Sequence, residues 1–351
     1  MRPVESSAKG GAAQPLRSLR PAVLSAGRGQ SSLQGVLVAV YLALSPWFPV
    51  TPPSPVALAS SHAPPIAFNS PGGLALDSHG DLYVADGWGN RILKLSPTGR
   101  LLARWGNPPG YINPDSSKPP PLGIFSQVAD VALDAHGNLY VADTKDFRIQ
   151  ELSPHGRPLR MWGTRGAAPG QFVFPVGVAL DKQGNIYVVD SGGDRIQKIS
   201  PQGRVLAVWG RRGAAPGQFS GPVGIAIDRL GRIYITDDGN DRVQMLSPNG
   251  RLLALWGRHG TRSGYFNEPG GIAVNNHGDI YVADKLNHRI EMFTASGVLL
   301  GSWGRYGSAP GQLKYPGGIA VDNHGDVYVA DGGNRRVQKF SSVGRLLAVW
   351  R

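Results

Sequence analysis

The chain has 351 residues with 49 Gly, 29 Pro, no Cys and a formal net charge of +12. The absence of Cys excludes disulfides, thiolate metal sites, a Cys nucleophile and a lipidated Cys anchor. Length alone suggests two ordinary domains, and high Gly plus Pro suggests disorder. Both priors yield to the repeat described below, in which the glycines recur at fixed places.

The front of the chain differs from the rest. Arg2, Lys9, Arg17, Arg20 and Arg28 stand against one acid, Glu5, before an apolar run over 35–44 that extends weakly to Val50. A Pro-rich stretch and Ala57-Leu58-Ala59 follow. A positive start, an apolar middle and a small-x-small end are the pattern of a secretory signal. Residues 1–63 are therefore expected to be a signal peptide or signal anchor with a Pro-rich linker. The dense apolar core is short for a membrane span, so the reading holds both cleavage near Ala59 and an uncleaved anchor. Either places the remainder outside the cytoplasm, secreted or anchored at its N-terminus.

From about residue 68 the chain repeats. Trp105, Trp162, Trp209, Trp256, Trp303 and Trp350 are separated by intervals of 57, 47, 47, 47 and 47 residues. The same intervals separate Asp86, Asp143, Asp190, Asp237, Asp284 and Asp331. They separate Arg91, Arg148, Arg195, Arg242, Arg289 and Arg336 as well. Repetition at this period points to propellers or solenoids. Each repeat holds short β-branched and aromatic segments bounded by Gly, Asn and Asp, which read as strands. Asp-x-x-Gly joins the first two strands, and Ser-Pro-x-Gly joins the last two in a tight turn. Inner segments such as Ile233-Tyr234-Ile235-Thr236 are continuously apolar, so both of their faces are covered.

The predicted fold is all-β: a six-bladed β-propeller over 64–351 with four antiparallel strands per blade. The blades are expected at about 68–106, 125–163, 171–210, 218–257, 266–304 and 312–351. The ring either closes by packing alone or takes residues 65–68 as an added outer strand. The terminal Trp of each blade is expected to pack between blades. Each Asp and Arg, five residues apart, are expected to tie the loop between the second and third strands. Six copies of a pair make a structural role, not a catalytic one.

These residues resemble the NHL-repeat family, of a bacterial exported type. Its Pro-x-Gly-Ile-Ala-Val-Asp, Gly-x-Ile-Tyr-Val-Ala-Asp and Asn-x-Arg-Ile pattern is matched at 316–337 and 269–290. The resemblance implies the propeller. For function it implies RNA-binding and protein-binding modules, sensor domains of transmembrane kinases or amidating lyases, and the fold does not choose among them.

Departures from the repeat carry the functional reading. Ten extra residues lie between blades one and two, within 107–124, and long loops on rigid scaffolds are a common place for binding residues. Asp130 stands where the other repeats have Gly73, Gly177, Gly224, Gly271 and Gly318, at the expected channel mouth, where a carboxylate suits a cation or a ligand amine. The loops between blades carry Arg165, Arg211, Arg212, Arg258, Arg262, Arg305 and Lys314 among Tyr265 and Tyr306. Trp88, Lys145, Phe147, Lys285 and Arg335 are expected on the same side. Basic groups interleaved with aromatics suit an acidic partner, although Arg100, Arg157, Arg204, Arg251 and Arg345 spread positive charge to the opposite end.

His79, His136, His277 and His324 share one turn position and read as turn residues. The sequence has no Gly-x-Ser-x-Gly elbow, phosphate-cradling Gly loop, HExxH pair or calcium-loop series of acids. No metal or cofactor is therefore expected. The leading reading is a non-catalytic extracytoplasmic scaffold that recognises a protein, peptide or anionic polymer on the inter-blade-loop face. The alternatives are a metal-dependent lyase or hydrolase at the channel and, for a chain kept in the cytoplasm, an RNA-binding module.

Overall fold

The computed structural model describes residues 66–115 and 118–351. The export segment expected over 1–63 lies outside the described residues.

Six four-stranded antiparallel sheets follow one another along the chain, each with its strands in sequence order. Blade 6, for example, comprises Pro316–Val321, Val327–Asp331, Arg336–Phe340 and Leu346–Trp350. The first strands of neighbouring blades pack side by side, and that of blade 6 returns to that of blade 1. The six first strands thus form a closed inner ring, and the fold is the six-bladed propeller expected.

Each first strand opens on Pro or Val and carries a bulge within its first residues, as between Pro316 and Ile319. Pro is tolerated there because the first residue of a strand at a bulge need not donate to the ladder. The second strand is fully buried in every blade. This explains its continuous apolar sequence: a blade has a neighbour on each face and leaves the second strand no wet side.

The core is accordingly six cores, each lying between two blades. One joins Val84 and Leu93 of blade 1 to Tyr328, Val337 and Trp350 of blade 6. Another joins Tyr83 and Ile92 to Phe125 and Val141 of blade 2. The terminal Trp of each blade reaches forward to the next. Trp105 stacks on Tyr83 of its own blade at 6.0 Å and lies under the turn glycine Gly156 of blade 2. At Gly156, φ is +78° and an added Cβ would stand 1.7 Å from the Trp105 ring. Both the positive φ and the indole require glycine there. Trp350 makes the same approach to Gly99 of blade 1, so the last blade grips the first as any blade grips its successor.

Ring closure adds one bond to this packing: Ile66 N donates to Arg351 O at 2.8 Å. The last sheet remains four-stranded, so closure is by side-chain packing with a single backbone clasp.

Candidate functional site

The six repeat aspartates are completely buried, and each organises one blade top. Asp331 accepts Lys314 N at 2.7 Å from the connector that precedes its blade, and Arg336 Nε at 2.6 Å. Arg336 then donates through Nη1 to Ser308 O and through Nη2 to Ala309 O and Gln312 O. The loop between the second and third strands is thus bracketed to the connector that enters the same blade, which places both on one face. The residue before each arginine is left-handed, with φ between 48° at Asn90 and 56° at His288.

The connectors are built features, although their Gly, Ala and Pro content reads as loose loop. In each of four, a residue just past the blade-end Trp forms a parallel bridge to a buried Phe or Leu: Arg165 to Phe172, Arg212 to Phe219, His259 to Phe266 and Tyr306 to Leu313. Phe68 and Phe125 occupy the same column, and all six side chains are at most 3 % exposed. Sequence reasoning missed this column. Its signal is a Phe or Leu 18 residues before each repeat Asp.

These short bridges fix the basic residues in place. Arg165, Arg211, Arg212, Arg258, Arg262 and Arg305 are all exposed. Among the described residues no carboxylate stands within ion-pair distance of any of them. Arg258 lies over the Tyr265 ring at 4.2 Å and Arg165 over Phe147 at 5.2 Å. Tyr306 is 61 % exposed and its ring lies 4.9 Å from that of His288. The face is not purely basic. His259 pairs with Asp241 at 3.0 Å and Lys285 with Glu268 at 2.9 Å. Burial among neighbouring acids pushes Asp238 up to about 6, against the opposing pull of Lys285.

Asp130 lies inside the channel, on a first strand and not on a connector. The channel cavity, of about 730 Å³, is lined largely by Gly, Ala, Val, Leu and Ile of the six first strands. The Asp130 carboxylate fills the place beside Gly73, where an added Cβ would fall 1.9 Å from Oδ1. Oδ1 accepts the neighbouring Val131 N at 2.9 Å, and Oδ2 accepts Val178 N of blade 3 at 3.0 Å. Burial pushes its pKa up to about 7, partly offset by these two N–H groups. Asp130 therefore links three blades, and both oxygens already hold backbone donors. Asp130→Ala is expected to cost about 1–3 kcal/mol, because it removes the acceptor of two backbone N–H groups. Urea unfolding checks this, and a neutral result would mean that Val178 N finds another acceptor.

Among the described residues, no three His, Cys, Asp or Glu side chains are grouped to hold a metal ion. Blades 1 and 2 meet at a second cavity, of about 450 Å³, beneath the ten-residue insertion. Trp88, Asn90, Tyr111, Gln127 and Lys145 are among its lining residues.

The NHL repeat family model matches residues 68–95, 172–199, 219–245, 266–293 and 313–340. Blade 2, which follows the insertion and carries Asp130, is the blade left unmatched. No curated protein matches the chain. Among solved structures, a streptogramin B lyase is similar at 16% identity and a TM-score of 0.57, covering 82% of this chain and 84% of its own. A catalytically inactive virginiamycin B lyase from Staphylococcus aureus, solved with quinupristin, is similar at 16% identity and 0.56, covering 81% and 85%. A gluconolactonase from Xanthomonas campestris is similar at 14% identity and 0.54, covering 75% and 84%. At these identities the likeness is one of fold.

Proposed function

The chain is an NHL-repeat β-propeller, and we propose that it is a non-catalytic scaffold whose connectors hold an anionic polymer outside the cytoplasm. One observation carries this reading. Six exposed arginines without carboxylate partners among the described residues recur over four consecutive connectors, each connector pinned by its own backbone bridge. Charge repeated along an arc suits an extended ligand with repeated negative groups. A folded acidic protein or peptide segment would meet the same guanidinium groups, but its charge need not recur at blade spacing. The basic, apolar, then small-residue order of 1–59 supports export. In the cytoplasm, RNA would be the polyanion at hand.

A metal-dependent lyase or hydrolase at the channel has less support. Among the described residues Asp130 is the one acid lining that cavity, and both of its oxygens are engaged by backbone.

The test is a salt titration of polyphosphate binding to the full chain. Affinity is expected to fall log-linearly with salt, with a slope of roughly 0.7 to 0.9 per phosphate contact. Replacing Arg211, Arg212, Arg258 and Arg305 together by Gln should flatten that slope and weaken binding at least about tenfold at ~50 mM salt. Exposed side chains of this kind change stability little, so unfolding should be unaltered. No binding at low salt, or an unchanged slope in the variant, would sink the reading.

A further inference from the structure

Blades 1 and 2 meet without a contact that three other joints share. At three other joints, the left-handed residue before the repeat arginine accepts a backbone N–H from the following connector. Asp194 accepts Gly221 N at 2.8 Å, Asp241 accepts Glu268 N at 2.9 Å, and His288 accepts Tyr315 N at 3.2 Å. The corresponding residues between blades 1 and 2 are Asn90 and Gln127, and this bond is not made. Neither side-chain amide has a hydrogen-bond partner among the described residues.

The insertion enters this joint. Its returning arm is fastened by Asn107, whose Nδ2 donates to Phe125 O at 2.9 Å while Oδ1 accepts Phe125 N at 2.8 Å. The backbone then reaches Gln127 at φ +114°, and the joint stays open as the 450 Å³ cavity. Two long side chains from the blade tops line it. Trp88 and Lys145 occupy the column of Gly192, Gly239, Leu286 and Gly333. At those glycines an added Cβ would meet the neighbouring connector at 2.9, 2.6 and 2.7 Å. Trp88 is 80 % exposed, whereas the Trp that ends each blade is spent on inter-blade packing.

We propose that this cavity binds a sugar ring carrying an anionic substituent, as one residue of an acidic polysaccharide. The indole offers a flat apolar face to the C–H face of a ring. The free amides of Asn90 and Gln127 each supply a donor pair and an acceptor, which matches adjacent hydroxyls. Lys145 supplies a point charge for a carboxylate or sulfate. The volume falls in the range of ordinary small-ligand pockets. One outward indole beside one cation fits a single charged ring, whereas a run of nucleobases needs successive stacking platforms. The inference rests on the polyanion reading above for the polymer beyond the cavity, and it names that polymer's chemistry.

The test uses the full chain with three probes: a hexamer of linked galacturonate, polyphosphate, and a single-stranded RNA hexamer. The hexauronate is expected to quench tryptophan fluorescence. Trp88→Ala should abolish the quench and weaken hexauronate binding at least tenfold while leaving polyphosphate binding unchanged. Trp88→Phe, which keeps a ring face, should retain most of the affinity. Lys145→Gln should weaken the hexauronate more than its neutral, reduced counterpart. Hexauronate binding that Trp88→Ala leaves unchanged would overturn the assignment. So would RNA binding that depends on Trp88 as strongly. Polyphosphate binding without hexauronate binding overturns the sugar assignment and leaves the basic connectors standing. Hexauronate binding lost in Trp88→Ala, with polyphosphate ignored, upholds the cavity and removes the connectors.

Discussion

Arg336→Ala is expected to destabilise the propeller by about 3–5 kcal/mol, the cost of removing one partner from a buried ion pair. Arg336 is 1 % exposed and Asp331 completely buried. The guanidinium makes four bonds, at 2.6 Å to Asp331 and at 2.7, 2.9 and 2.7 Å to three connector carbonyls. Truncation takes the buried Asp331 charge from its ion-pair partner and leaves the carbonyls of Ser308 and Ala309 without this donor, and each unmet group carries its own desolvation penalty. Lys is not expected to rescue, because a point charge cannot span the fork that the planar group fills. The pair in blade 1 is a useful contrast. The Arg91 side chain is 14 % exposed beside Asp86 and donates to one connector carbonyl, that of Ala67. Its truncation should cost distinctly less. Guanidinium chloride unfolding of the two variants decides the matter, and equal small losses would show that the brackets add little to stability.

The parts of this fold legible in the sequence are those that repeat without interruption. The Asp, Arg and Trp columns register every blade against the others, and a continuously apolar second strand can only lie between two sheets. Ring closure was not legible, because the clasp from Ile66 to Arg351 joins residues outside the repeat. The internal order of the connectors was not legible. Ala, Pro and Gly have no polar side chain to announce a contact, yet the carbonyls of Ala309 and Gln312 are held by Arg336. Asp130 stood out as a break in a glycine column. Its two backbone partners could not be read, since Val178 lies 48 residues away in another blade. The cavity at blades 1 and 2 was half visible. The insertion and Trp88 could be named, but the open Asn90 to Gln127 joint is a bond not made, and no residue type announces one.

Glu291 is the remaining departure, and it yields a pH-dependent prediction. It occupies the column of Gln150, Gln197, Gln244 and Gln338 and is completely buried. The glutamines bridge two groups. Gln338 Nε2 donates to Gln312 O at 2.7 Å and to Asp331 Oδ2 at 3.0 Å, while its Oε1 accepts Gly311 N. In blade 5 the carboxylate keeps the acceptor role, taking Gly264 N at 3.0 Å, and faces Arg289 at 3.1 Å. An ionised Glu291 has no proton to give to Asp284, which shares the same arginine. Burial, aided by the nearby Asp284 charge, pushes Glu291 up to about 7 against the pull of the Gly264 N–H and Arg289. The folded state therefore holds its proton more tightly than the unfolded chain. This contribution to stability is complete below the ordinary glutamate pKa and is lost as pH rises through about 7. Gln supplies the missing donor at every pH. Glu291→Gln should accordingly stabilise the protein at pH 8 by about 1–3 kcal/mol, seen as a rise of several degrees in Tm. At pH 4 the two proteins should melt together. A rise of the same size at both pH values would assign the gain to packing and not to the proton. A fall at pH 8 would mean that the Arg289 ion pair outweighs the burial of the charge.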